Sequence, residues 1–173
     1  MMQRTTAPQE ILLPVRPTFI VATLITALLL NFLPAPGFWI WIKPDFVALV
    51  VLYWCIKQPR KIGFTAAFLL GLMMDVADGS LFGQHALAYS ILAYAGIVLH
   101  RRVQMFSLAP QVFHVILLLL LNDAIVLAIR MLAGNDFPGY VYFAGSVVAG
   151  ALWPPLSVLL SLPQRPKPDP DHV

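Results

Sequence analysis

The sequence predicts an all-α polytopic membrane protein with six transmembrane helices. Three observations carry that reading. Hydrophobic residues make up 60% and charged residues 11% of the 173 positions, and the mean hydropathy is +0.81, beyond what the core of a soluble domain requires. Clusters of proline, glycine and charge divide the apolar sequence into runs near bilayer length. Basic residues gather in alternate gaps between those runs. Spans take up nearly all of the length, so the chain reads as one membrane domain, 18–162, between a cytoplasmic tail, 1–17, and a disordered cytoplasmic tail, 163–173. The net charge of +3 is carried by residues that punctuate apolar runs, which points to topology and away from nucleic acid. Cys55 is the single cysteine and lies inside an apolar run, so it reads as a quiet structural thiol and no intramolecular disulfide is possible.

Each element follows from its breakers. Pro8, Pro14 and Pro17 disfavour a helix before Thr18, and the first span, 18–33, stops at Pro34, Pro36 and Gly37. A cleaved signal would need a small-x-small site, but Pro36 sits between Ala35 and Gly37 and the apolar run is long, so an uncleaved anchor is expected. The second span, 38–56, carries Phe38, Trp39 and Trp41 at one end and Tyr53 and Trp54 near the other, the pattern of two membrane interfaces. Pro44 disfavours helix at 41–43, so regular helix begins there and covers only roughly 20 Å, leaving local thinning, an extended lead-in or a re-entrant path to make up the difference. Lys57, Arg60 and Lys61 flank Pro59 as a basic loop before the third span, 62–77. The fourth, 82–99, closes at His100-Arg101-Arg102. Pro110 opens the fifth, 111–132, which holds Asn122 and Asp123 at its middle and Arg130 near its end. A turn at Gly134-Asn135-Asp136 leads to the sixth, 140–162, where Pro154-Pro155 must kink or break the helix.

Charge bias tests this division. With both termini in the cytoplasm, Arg4, Arg16, Lys57, Arg60, Lys61, Arg101, Arg102, Arg165 and Lys167 lie inside, and only Lys43 and Arg130 of the eleven basic residues do not. Removing any one span scrambles the partition. The same topology places Asp45, Asp75, Asp78 and Asp136 towards the outer face.

The polar residues of 63–85 are where chemistry is expected. Gly63, Ala67, Gly71 and Asp75 recur every fourth residue, a slanting row of small side chains that ends in a carboxylate and suits close helix docking in lipid. Asp75 and Asp78 share a helix face, where they could do acid/base work, hold a cation or accept hydrogen bonds, or simply meet interfacial water and cap the turn before Gly79. No serine-histidine or cysteine-histidine set has convincing spacing. An aspartyl protease would need a second aspartate in a glycine-flanked motif, and Asp123 lacks one, so no enzyme is expected. A carboxylate mid-bilayer costs roughly 2.5–3.5 kcal/mol on insertion scales, so Asp123 should face other helices. Arg130 lies on nearly the same face but roughly 10 Å along the axis, and a tyrosine or amide of another helix is an equal candidate partner. Gly83 supplies a turn, Gln84 can bind loop backbone, and His85 reads as an interfacial donor, because no other ligand stands at metal-binding spacing. Arg101 and Arg102 could attract anionic lipid, though topology alone accounts for them.

Pro44-Asp45 opening a span, followed by Gly63, Gly71, Asp75, Gly79, Ser80, Gly83, Gln84, His85 and Ala86, resembles the MreD family of rod shape-determining membrane proteins. The resemblance covers residues 43–106; the last two spans match in character only, and Asp123 and Pro154-Pro155 are readings of this sequence alone. It implies a non-enzymatic, cofactor-free scaffold in the bacterial inner membrane, serving rod shape and lateral peptidoglycan synthesis. The implied partners are MreC, MreB inside, and RodA with a class B penicillin-binding protein. Pro44, Asp45, Gly63, Gly71, Asp75, Asp78, Gly79, Gly83, Gln84, His85 and Asp123 then become partner-binding or structural residues, Asp75 foremost, with Gly71 and Gly79 permitting its placement. The family is similar in fold to the substrate-binding subunits of energy-coupling-factor transporters. The runner-up function is therefore a small-molecule-binding membrane subunit of a vitamin-type transporter, with Asp45, Asp75, Asp78 and Gln84 lining an outward pocket.

Overall fold

The computed structural model describes residues 15–34, 36–37, 42–79 and 81–164. The aromatic stretch Phe38, Trp39 and Trp41, the small residue Ala35, Ser80, and the tails 1–14 and 165–173 lie outside them. Among the described residues the chain is all helical, with seven α-helices, two short 3-10 turns and no strand. In order these are α1 (Pro17–Phe32), α2 (Phe46–Lys57), α3 (Phe64–Ala77), α4 (Gln84–Gln104), α5 (Leu108–Leu132), α6 (Ala144–Ala151) and α7 (Trp153–Ser161). The folded body begins earlier and ends later than the sequence suggests. Val15 packs into the core, and Pro163 and Gln164 continue α7 as a 3-10 turn with Gln164 buried.

The bundle is built around α2. Ten consecutive residues, 47–56, are buried, the signature of a helix apolar on every side and enclosed by others. α1 and α4 pack directly on it, with contributions from α5 and α6. Tyr53 and Trp54 are therefore core residues, 1% and 0% exposed, and not the interfacial belt expected of them. The reason is local pairing: Trp54 Nε1 donates to Thr23 Oγ1 of α1 at 2.9 Å, and the Tyr53 ring meets Trp153 of α7 with centroids 5.7 Å apart.

Among the described residues only α5, at 25 residues, is by itself long and apolar enough to cross a membrane. Together with their flanking 3-10 turns, α6 and α7 (Tyr140–Ala151 and Trp153–Gln164) are also long and apolar enough, but they are bent by 40° at Leu152. The bend lies where Pro154 and Pro155 require it. Both fall in the first turn of α7, whose amide positions have no partner within their own helix, so the two missing donors cost little there. α1, α2 and α3 have 16, 12 and 14 residues and rise roughly 24, 18 and 21 Å, short of a hydrocarbon core of roughly 30 Å. For α2 the shortfall is covered by protein. Its extended lead-in, Lys43 to Asp45, lies against α6, so close that a Cβ on Gly145 would stand 2.6 Å from the Lys43 carbonyl oxygen. Non-helical backbone is tolerated at membrane depth only where protein or a cavity covers it.

The helices gather most basic residues at one end and carboxylates at the other, where Lys43 also lies. Lys61 Nζ donates to the Val15 carbonyl and Gln104 Nε2 to the Ile56 carbonyl, tying the start of α1, the end of α2 and the end of α4 together beside Arg16, Lys57, Arg60, Arg101 and Arg102. Asp45, Asp75 and Asp78 lie at the other ends of α2 and α3, where α4 begins.

Candidate functional site

At that acidic end the connection into α2 is fixed by the end of α1. Asn31 Nδ2 donates to Asp45 Oδ1 at 2.9 Å, while Asn31 Oδ1 accepts from the Phe46 amide at 2.9 Å. Asp45 is the N-cap of α2, accepting from the Ala48 amide at 3.0 Å, and its second oxygen accepts from the Tyr89 hydroxyl of α4 at 2.6 Å. Lys43 Nζ donates to the carbonyls of Asn31 and, at 2.8 Å, Leu33, placing a cation where the dipole of α1 is negative. Pro44 contributes by lacking an amide hydrogen that this crowded corner would have to satisfy.

Asp75 performs a similar task across two helices. Gly79 and Gly83 adopt φ of +58° and +99°, a reversal open to glycine, and Gly83 then occupies the N-cap of α4 with no side chain to offer. The carboxylate of Asp75, 1% exposed on α3, supplies what is missing. Its Oδ2 accepts from the Gly83 amide at 2.8 Å and its Oδ1 from the His85 amide at 2.9 Å. The Ala86 amide lies 3.5 Å from Oδ2, and His85 Nδ1 lies 2.9 Å from Oδ1, so a ring protonated there adds a further donor. Asp75 thus caps α4 from its neighbour, satisfying amides that would otherwise be orphaned.

The small-residue row makes this reach possible. Ala67 and Gly71 are buried against α4, and a Cβ on Gly71 would stand 2.4 Å from the Cα of Ala86 and 2.5 Å from the His85 carbonyl oxygen. The close approach expected of the row therefore occurs within the chain, between α3 and α4. Gly63 stands apart from it: a Cβ there would meet nothing within 4 Å. Asp78 is different from Asp75. Its side chain is 50% exposed, and its nearest ionic neighbour is His85 Nε2 at 3.9 Å. Gln84 is buried with its Nε2 3.3 Å from His85 Nδ1, and its Oε1 has no hydrogen-bond partner among the described residues.

Asp123 faces the bundle, as expected of a mid-span carboxylate. Its partner is neither Arg130 nor a tyrosine: the Ser146 hydroxyl of α6 donates to Oδ2, with the Asn122 amide 3.5 Å from Oδ1. Gly145 and Gly150 bring α6 close enough, Gly150 so near α5 that a Cβ would stand 2.1 Å from Ile116 Cγ1. Between these three groups lies a cavity of about 240 Å³, walled by Asp45, Asp78, His85, Asn122, Asp123 and Ser146 among others. Asn31, Tyr89 and Ser146 are functional partners that the sequence reading missed. Asn31 had a signal in its place as the one amide at the end of an apolar run, and Ser146 in the small stripe Gly145, Ser146, Ala149 and Gly150.

The family model described as rod shape-determining protein MreD matches residues 15–162. The chain belongs to the MreD family. A rod shape-determining protein MreD of Haemophilus influenzae is 28% identical over 141 residues, which cover 82% of this chain and 87% of that relative. No solved structure matches the chain. The matched region takes in every described helix and the whole acidic end. MreD-family membership assigns the chain a part in determining rod shape and places it among membrane proteins. Among the described residues no group of three histidine, cysteine, aspartate or glutamate side chains is placed to hold a metal ion.

Proposed function

We propose that this chain is a non-enzymatic scaffold of the bacterial cell-elongation machinery, crossing the inner membrane six times with both termini in the cytoplasm. In this reading it binds MreC on the outer side, MreB lies beneath it, and RodA with a class B penicillin-binding protein completes the complex for lateral peptidoglycan synthesis. α6 and α7 form one bent crossing, and the likeness to substrate-binding subunits of energy-coupling-factor transporters belongs to the same proposal. The observation that carries the reading is the cap by Asp75. It joins α3 and α4 into a rigid hairpin whose tip presents Val76, Asp78 and Phe82, with Val76 63% and Phe82 79% exposed. A rigid apolar tip beside a half-exposed carboxylate suits a protein partner.

The test is co-purification with MreC from detergent, comparing wild type with Asp78→Ala and Phe82→Ser. Neither side chain holds the hairpin together, so membrane insertion and thermal stability should stay at wild-type levels while recovered MreC falls. Full recovery of MreC with both variants would reject the hairpin tip as the docking surface. Gly71 and Asp75 are unsuitable for this test, because each is engaged inside the chain.

A further inference from the structure

We propose that the cavity between α2, α3, α5 and α6 is a binding site for a small organic ammonium compound, a property beyond the scaffold role. Asn122 points to a ligand. It is 2% exposed on α5, lines the cavity, and its Oδ1 has no hydrogen-bond partner among the described residues. Its Nδ2 faces Asp123 Oδ1, which fixes the orientation of the amide: exchanging the two atoms would set oxygen against oxygen. A buried acceptor left unpaired costs about 1–3 kcal/mol, so a donor supplied from outside has a ready place.

The remaining wall defines the charge of that donor. Lys43 gives two of its three N–H groups to carbonyls and His85 Nδ1 faces Asp75, so the wall offers few donors to a guest against the three carboxylates of Asp45, Asp78 and Asp123. Asp45 already accepts from Asn31, the Ala48 amide and Tyr89. Asp78 and Asp123 retain accepting capacity: Asp78 is half exposed, and Asp123 takes one hydroxyl and one long amide contact. The Tyr142 and Ser146 hydroxyls complete a wall rich in acceptors. A bare metal ion does not suit it, since the carboxylates are not placed as a metal-binding group. An ammonium on a short carbon chain does, donating to Asn122 Oδ1 and the nearby carboxylates. The cavity volume of about 240 Å³ is roughly that of eight waters and lies below the range of drug-sized ligands, which limits the guest to a few carbon atoms.

The experiment is calorimetric titration and thermal unfolding of the full chain in detergent with 1,4-diaminobutane, using 1,4-butanediol and succinate as neutral and anionic counterparts. The diamine should bind saturably and raise the unfolding temperature; the diol and the diacid should do neither. Asn122→Leu should weaken diamine binding about tenfold or more while leaving the unliganded protein as stable or more stable, because the unpaired acceptor is gone. Asn122→Ser, which retains an acceptor, should fall between. Absence of saturable diamine binding to the wild type overturns the proposal, as does equal binding of all three compounds or undiminished binding to folded Asn122→Leu.

Discussion

Asp75 concentrates more backbone amides on one side chain than any other residue at the acidic end, and its value lies in offering two acceptor oxygens where α4 starts. Replacing it with asparagine leaves one acceptor oxygen and turns an NH2 group towards amides that are themselves donors. Asp75→Asn should therefore lower stability by about 2 kcal/mol or more, read as a fall in unfolding temperature in detergent. Asp78→Asn, at a side chain 50% exposed, should stay within about 0.5 kcal/mol of wild type. The two glycines of the row separate in the same way. Gly71→Ala drives a methyl group into the backbone of α4 and should cost about 1–3 kcal/mol, whereas Gly63→Ser enters open space at an N-cap and should be nearly neutral, within about 0.5 kcal/mol. Equal effects at 63 and 71 would sink the assignment of α4 as the helix that the row meets. The spacing of Gly63, Ala67, Gly71 and Asp75 made a shared face legible in the sequence. It could not reveal which helix faces them, because periodicity fixes direction about one axis only.

Among the elements, α2 differs from α1 although both read as apolar spans of similar hydropathy. α2 is enclosed by protein along its length, while Val21, Ile25 and Leu29 line an outward face of α1. Truncating Leu52, which is fully buried, should cost about 2–5 kcal/mol through the cavity left behind, and Leu29→Ala, 59% exposed, less than about 0.5 kcal/mol. Comparable losses at both positions, by unfolding in detergent, would place α2 at the periphery. The sequence concealed this distinction for a physical reason: lipid tails and a protein core select the same side chains, so hydropathy finds both and separates neither. Aromatic residues near the ends of a span carry the same ambiguity. Tyr53 and Trp54 have the composition of an interface belt, yet Thr23 and Trp153 make them a core cluster. Helix breaks were easier to read, since Pro154-Pro155 and the glycines at 79 and 83 act through their own backbones and need no distant partner.

For the whole molecule, the separation of charge between its ends sets an orientation that can be measured. Lys57, Arg60, Lys61, Arg101 and Arg102 belong to the end tied together by Lys61 and Gln104, and Asp45, Asp75 and Asp78 to the opposite end, so in the proposed topology the first end faces the cytoplasm. Cys55 is 0% exposed inside α2, so single cysteines introduced elsewhere can be labelled against a silent background. Arg60, Arg102 and Asp136 lie in exposed positions after α2, near the end of α4 and after α5. A membrane-impermeant maleimide added to spheroplasts should label Asp136→Cys and should reach Arg60→Cys and Arg102→Cys only after lysis. Labelling in the reverse sense would invert the bundle and carry the ammonium cavity to the cytoplasmic side. Labelling of Arg60→Cys and Arg102→Cys from opposite sides would break the count itself, because α3 and α4 must cross as a pair if the cap between them is to lie at one face. The cap by Asp75 thus ties a local hydrogen-bond pattern to the global topology: a hairpin joined at its tip can only return the chain to the side from which it came.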